Sequence, residues 1–442
     1  MYNPADAERQ TAARCDVLVI GGGPGGATIA ALLAERGRDV VLIEKARHPR
    51  FHIGESLLPL NLPLFERLGV AAEIKVIGMP KYGAEFVSPW HARSATFDFA
   101  NAVDKSHPYA YQVRRSEFDQ ILFRNAERKG AAAFEGCRVT GVEFNDAGAA
   151  VTTRMEAGSE HQWQTRFLVD ASGRDTVLAN QFGIKRRNPQ HASAAIFGHF
   201  SGAARLPGKA AGNISLFWFD HGWFWFIPLH DGVTSVGAVC WPYYMKSRQS
   251  DPEKFFLDTV ALCPALAERL RDASLSSAVT ATGNYSYEVK RATGRNYLLV
   301  GDAFTFIDPV FSTGVLFAMQ SAFAAADAVA TCLDDAGKGP QALRAFDRSM
   351  RRGPKIFSWF IYRVTTPTLR DLFMGPGEPR LQEAVLSVLA GDIFGSTPLA
   401  LKLFLFKTVY YLTNLFNPRR TFNAWKKRKQ ILLEPVSATT AI

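Results

Sequence analysis

Val17-Leu18-Val19-Ile20-Gly21-Gly22-Gly23-Pro24-Gly25-Gly26 runs into Ala27-Thr28-Ile29-Ala30-Ala31-Leu32-Leu33-Ala34-Glu35, and Asp39-Val40-Val41-Leu42-Ile43-Glu44 follows. The first apolar run is short and rich in β-branched residues, so it reads as a buried strand. The glycines that break it read as a tight turn, and the small residues after them as a helix. A second buried strand then ends in an acid, which completes a βαβ unit. Gly21, Gly23 and Gly26 satisfy G-x-G-x-x-G, and Glu44 lies 18 residues beyond Gly26, near the offset at which a carboxylate accepts hydrogen bonds from a ribose hydroxyl. The glycines serve different ends: Gly21 makes the turn, Gly23 lets the backbone approach a pyrophosphate, and Gly26 allows close helix–strand packing.

The same kind of strand returns twice. Phe167-Leu168-Val169-Asp170-Ala171-Ser172-Gly173-Arg174 and Tyr297-Leu298-Leu299-Val300-Gly301-Asp302-Ala303 each end in a loop of the sort that faces ligand in an open parallel sheet. Between them, apolar strands such as Ile214–Phe219, Gly222–Leu229 and Thr234–Cys240 crowd together and predict an inserted antiparallel sheet. From about residue 315 the pattern is helical. The fold class read from this order is α/β: a dinucleotide-binding part over 1–190 with interspersed substrate segments, an antiparallel-sheet substrate domain over 191–290, a return to the first domain over 291–335, and a helical region over 336–442. No internal repeat is found.

A chain of 442 residues with 47% hydrophobic and 21% charged residues has room for two or three units and excludes wholesale disorder. The five cysteines, at 15, 137, 240, 263 and 332, form no C-x-x-C, so neither a disulfide framework nor a cysteine-based zinc site is expected, and no metal. A reducing cytoplasm fits them. The leader Met1–Asp16 is polar and carries no signal-peptide core. The most apolar later stretch, 398–416, contains Lys402 and Lys407, which argues against a membrane span. Net charge is +10, and residues 401–430 hold eight basic side chains and no acid. No nucleic-acid-binding pattern accompanies them, so no nucleic acid is expected. An acidic protein or peripheral contact with an anionic membrane explains them equally well, and a solvated tail remains the plain alternative.

Several stretches together resemble one group of flavoproteins. The glycine turn, Glu44, Gly54-Glu55-Ser56-Leu57-Leu58-Pro59, Val113-Arg114-Arg115-Ser116-Glu117-Phe118-Asp119, the strand Val169–Arg174 and Gly301-Asp302 are similar to FAD enzymes of the glutathione-reductase-like fold. Trp223-Phe224-Trp225-Phe226-Ile227-Pro228 matches W-x-W-x-I-P, and Phe306-Ile307-Asp308-Pro309-Val310-Phe311-Ser312-Thr313-Gly314 matches F-x-x-P-x-x-S-x-G. Both resemble the flavin-dependent halogenases, the second in the form found with phenol and pyrrole substrates. Lys81, in Lys81-Tyr82-Gly83-Ala84-Glu85-Phe86, falls where that family places its indispensable lysine.

The resemblance implies an enzyme that uses FADH2 from a separate flavin reductase, O2 and chloride or bromide to halogenate an electron-rich ring, free or carrier-bound, through hypohalous acid delivered to Lys81. It implies FAD contacts at Gly21, Gly23, Gly26, Glu44, Arg115, Asp302, Thr313 and Gly314, and halide contacts at Thr313 and Gly314. Trp223, Trp225 and Phe311 are expected beside the channel or substrate. Phe311 stands where tryptophan halogenases carry a glutamate, a departure that argues against free tryptophan. The bare alternatives are an aromatic core hairpin for the Trp run and an ordinary helix cap at Ser312-Thr313. A hydroxylase or reductase of the same fold, or a flavoprotein without catalysis, is the competing function.

Overall fold

The computed structural model describes residues 12–283, 286–375, 379–392 and 399–433. Most of the polar leader, residues 1–11, lies outside them. The opening βαβ unit forms as read: β1 (Ala13–Ile20), α1 (Pro24–Glu35) and β2 (Val40–Ile43). β1 and β2 pair in parallel, and β1 also pairs in parallel with β3 (Glu160–Asp170). The strands Tyr297–Leu299 and Ala132–Phe134 flank this set in parallel on either side. The parallel core strands are buried in one apolar cluster with α1 and with Cys137, Val142, Ala149 and Val151 of an antiparallel strand pair, which is why they read as continuous apolar runs without alternation.

The second sheet carries β4 (Ala194–Ser201), β5 (Ile214–Phe219), β6 (Gly222–Pro228) and β7 (Val233–Cys240) as antiparallel neighbours in the order β4-β7-β6-β5. It extends past β5 through Gly83–Val87, paired in parallel, and Ala95–Asp98. Those two strands come from the first third of the chain, so the segment around Lys81 is stitched into the second sheet's edge.

The aromatic run splits cleanly by strand alternation. Phe217, Phe219, Phe224 and Phe226 face a cluster with Phe255 and Phe256, while Trp218, Trp223 and Trp225 face the opposite cluster. Asp220-His221 forms the two-residue hairpin between Phe219 and its partner Gly222.

Among the described residues, six helices follow: α2 (Thr313–Asp334), α3 (Gly339–Ile361), α4 (Pro367–Met374), α5 (Pro379–Leu389), α6 (Ala400–Phe416) and α7 (Pro418–Leu433). α2 is long and apolar enough to cross a membrane, yet it packs against α1 and α3 and belongs to the core. α3 to α6 cover the tryptophan side of the second sheet.

Candidate active site

The parallel register aligns Ile20 with Ile43 and Asp170, and Asp170 with Leu299. The loops leaving those residues converge at one edge, around a cavity of about 530 Å3. Gly21, Gly23, Glu44, Arg115, Trp223, Trp225, Asp302 and Gly314 all line it. Open parallel sheets bind ligands at this carboxyl edge.

The three motif glycines answer to three different constraints. Gly21 has φ +101°, and a Cβ there would sit 2.4 Å from the Ala171 carbonyl oxygen. A Cβ on Gly26 would lie 1.8 Å from the Gly21 carbonyl oxygen, so Gly26 serves packing and does not line the cavity. A Cβ on Gly23 would meet only Arg50 Nη2, at 3.7 Å, because the space before it is cavity. That open cradle at the N-terminus of α1 suits a pyrophosphate.

Glu44 is buried, and its carboxylate accepts from the Gly22 N–H at 2.7 Å and the Ala46 N–H at 3.0 Å. The acid is thereby fixed beside the turn with lone pairs to spare for a ribose. These features fit FAD, which the residues Gly23, Glu44, Arg115 and Asp302 would hold.

Arg115 is anchored by two hydrogen bonds to the Asp119 carboxylate, at 2.8 and 3.0 Å, and by one to the Ile53 carbonyl oxygen. Arg50 joins the same carboxylate at 3.0 Å. Burial opposes the charge on Asp119, but the two guanidiniums outweigh it and hold the carboxyl below its ordinary range. Asp302 behaves oppositely: burial pushes it up to about 6, with Arg174 and Arg115 offsetting only part of the effect.

Trp223 and Trp225 stand side by side on one face of β6, ring centroids 6.3 Å apart. Trp225 donates its indole N–H to Ser235 Oγ at 3.2 Å, and Gly237 opposite leaves room for the ring, since a Cβ there would come within 2.2 Å of it. These positions make the pair a fixed wall of the cavity.

Ser312 takes φ +57° and caps α2 without a side-chain hydrogen bond. Gly314 fronts the large cavity and a smaller one of about 40 Å3, whereas Thr313 lines only the smaller, with Phe306, Asp308 and Phe317. Phe311 departs from expectation. It lines neither cavity, because the short turn Pro309–Phe311 rotates its ring into the apolar cluster, where it stacks on Phe357 and meets Phe360 edge-on.

Lys81 ends a short strand paired with Ala110–Gln112 and is 1% exposed. Its Nζ donates to Ser56 Oγ and to the Leu57 carbonyl oxygen, each at 2.9 Å, and sits over the Phe99 ring. It forms no ion pair among the described residues, and burial alone lowers its pKa to about 7. Lys81 stands behind the cavity wall, and Ser56, which does line the cavity, connects the two.

Sequence reasoning missed three participants. Ser56 is one. Glu55, also lining the cavity, is buried and hydrogen-bonded to His199 Nε2 at 3.0 Å. Arg50 is the third. Glu55 and Ser56 lay within the Gly54–Pro59 motif, which signalled their importance without assigning a role. Arg50 follows no spacing rule, since its place depends on where the loop after β2 folds.

The chain matches the FAD binding domain family over residues 14–352. It is 36% identical over 371 residues to the flavin-dependent halogenase gsfI of Penicillium aethiopicum, covering 78% of this chain and 69% of that protein. It is 35% identical to the tryptophan 2-halogenase of Chondromyces crocatus, covering 71% of this chain and 60% of that protein. The 1H-pyrrole-2-carbonyl-[peptidyl-carrier protein] chlorinase of Pseudomonas fluorescens is 28% identical, covering 86% of this chain and 89% of that protein. Among solved structures, the myxobacterial chondrochloren halogenase CndH aligns with a TM-score of 0.76 at 36% identity, covering 79% of this chain and 82% of CndH.

Proposed function

This chain belongs to the flavin-dependent halogenases, and from that membership we propose that it halogenates an electron-rich ring, a phenol or a pyrrole, with Lys81 as the residue that hands on the halogen. The observation that carries the reading is a buried lysine with no counter-ion among the described residues, tied by Ser56 to the wall of the FAD cavity. Reduced FAD, supplied by a separate reductase in the cytoplasm, provides with O2 the oxidising equivalents that turn halide into hypohalous acid. Everything else falls to the protein.

The Thr313 and Gly314 region, at the positive end of the α2 dipole and beside the smaller cavity, holds the halide. Trp223 and Trp225 wall the cavity so that the aromatic substrate stays away from FAD. Lys81 receives the reagent after it passes Ser56. As a free amine it exchanges an N–H for an N–halogen bond with loss of water; the halogen then passes as an electrophile to a ring carbon, which gives up its proton. As ammonium it hydrogen-bonds the hypohalous acid instead. A pKa of about 7 makes both forms accessible at neutral pH.

Ser56 is a positioning residue in this scheme. Ser56→Ala is expected to lower kcat by roughly tenfold while leaving FAD affinity within about twofold, because it removes one of the two hydrogen bonds that aim the amine. A fall in FAD affinity as large as the fall in kcat would show that Ser56 serves the cofactor site.

The substrate class is tested by mass spectrometry of products from FAD, a flavin reductase, bromide and a panel of phenols and pyrroles, each free and carrier-bound. Bromide-dependent mass gain on at least one ring class is expected. Oxygenated product formed without any need for halide would overturn the reading.

A further inference from the structure

α6 breaks the rule for a helix on a protein surface. Its inner face is conventional: Leu403, Phe406 and Tyr410 are buried against the core. Its outer face should be polar. Yet every exposed position from Ala400 to Phe416 carries an apolar or aromatic side chain, with Leu401 at 69%, Phe404 at 64%, Leu415 at 71% and Phe416 at 79% exposure. Monomeric soluble proteins seldom leave so many large apolar side chains contiguous and uncovered.

α7 continues the pattern with a different chemistry. Phe422 and Trp425 are exposed and stacked on each other, and Lys429 lies over the Trp425 ring. Lys426 is exposed beside them. An apolar helix face bordered by aromatic rings and lysines is the composition that settles at a lipid–water boundary, where rings sit at headgroup depth and lysines reach anionic headgroups.

We propose that the α6–α7 face seats this enzyme peripherally on an anionic membrane. The helices lie on the surface and do not span it. Lys402 pairs with Glu383, Lys407 lies over the Trp359 ring, and the inner face of α6 remains packed on α3 through Phe360 and Phe406. A second copy of the chain fits poorly, because Arg419, Lys426 and Lys429 on α7 are exposed and form no ion pair among the described residues, and self-association would bring those like charges together. An acidic carrier would be read by cations, but three of those on α7 are engaged within the chain. Arg420 pairs with Asp371, and Lys427 and Arg428 donate to the carbonyl oxygens of Asp220 and Gln190. The large apolar outer face of α6 is what asks for a partner, and acyl chains supply one. Membrane seating does not depend on the halogenation chemistry, so each stands or falls on its own test.

Flotation of the full chain with phosphatidylcholine vesicles, with and without phosphatidylglycerol, tests the proposal. Wild type is expected to float with the anionic vesicles and to bind neutral ones at least about tenfold more weakly. The double variant Phe404→Ser/Leu412→Ser and the double variant Lys426→Glu/Lys429→Glu should each lower anionic binding by about tenfold or more, with FAD stoichiometry and thermal unfolding unchanged. Because all four positions are exposed, loss of binding without loss of FAD separates docking from misfolding. Failure of the wild type to float, or flotation indifferent to both variants, overturns the proposal. So would a dimer in size-exclusion chromatography dispersed by the apolar variant, or retention by an acidic carrier protein in place of vesicles.

Discussion

Lys81→Met is expected to reduce halogenated product by more than about a hundredfold while the reduced enzyme still consumes O2, because the substitution removes only the group that holds the halogen. Neither the glycine cradle nor the N-terminus of α2 touches Lys81. Lys81→Arg should not rescue the activity. A guanidinium stays charged and cannot form the neutral amine that carries a halogen, and burial at this site penalises a permanent charge. The substitution to Met also carries a stability signature that a role in folding would not produce. The pKa of Lys81 falls from 10.5 in the unfolded chain to about 7 in the folded one through burial. The folded state therefore binds fewer protons than the unfolded state between those values, and stability falls as pH drops from about 10.5 towards 7. Below about 7 the penalty is complete. Lys81→Met abolishes it, so the variant should be the more stable protein at neutral pH. The net gain is about 2 kcal/mol once the lost hydrogen bonds to Ser56 and Leu57 are set against the relieved burial of charge. Thermal unfolding from pH 6 to 10.5 checks this: the advantage should be greatest at the acid end and reverse at the alkaline end, where the charge penalty is gone and only the lost hydrogen bonds remain. Wild-type halogenation at full product yield by Lys81→Met would refute the assignment. A variant less stable than wild type at pH 6 would mean that Lys81 is held in place as a structural cation.

Where sequence was legible, the reason is local chemistry. A β-branched run, a glycine turn and a strand ending in Glu44 can be read without tertiary information, because each is fixed by backbone sterics and by the two or three residues beside it. That Trp223 and Trp225 share one strand face is legible for a similar reason, since strand alternation is strictly periodic. Phe311 was not. Its position one residue before Ser312 gave no hint that a short turn would rotate it into the cluster with Phe357 and Phe360, residues more than 40 positions later. Lys81 is a mixed case. Family resemblance picked it out, but its isolation behind Ser56 and its lack of a counter-ion depend on Leu57 and Phe99 meeting it in space. Arg50 and His199 carry no motif at all. Their partners, Asp119 and Glu55, are 69 and 144 residues away, a separation at which pattern reading has nothing to measure.

Gly23→Trp and Gly26→Ala should fail in opposite ways, although both alter the same six-residue motif. Gly23 has φ −74° and ψ −175°, a backbone any residue adopts, and its Cβ direction opens on the cavity. An indole there fills the space that the pyrophosphate needs, so FAD affinity should drop by at least about a hundredfold while the FAD-free protein unfolds at the wild-type temperature. Gly26 has no such freedom. Its added methyl would lie 1.8 Å from a backbone oxygen, and α1 would have to move off β1, costing on the order of 3 kcal/mol. Adding FAD separates the two mechanisms, because a ligand stabilises only a native state that binds it. Excess FAD should raise the unfolding temperature of wild type and, from a lower start, of Gly26→Ala, but not that of Gly23→Trp. If Gly23→Trp gained as much from FAD as wild type, the phosphates would pass elsewhere than over Gly23, and the cradle would have to be sought along the loop that carries Arg50.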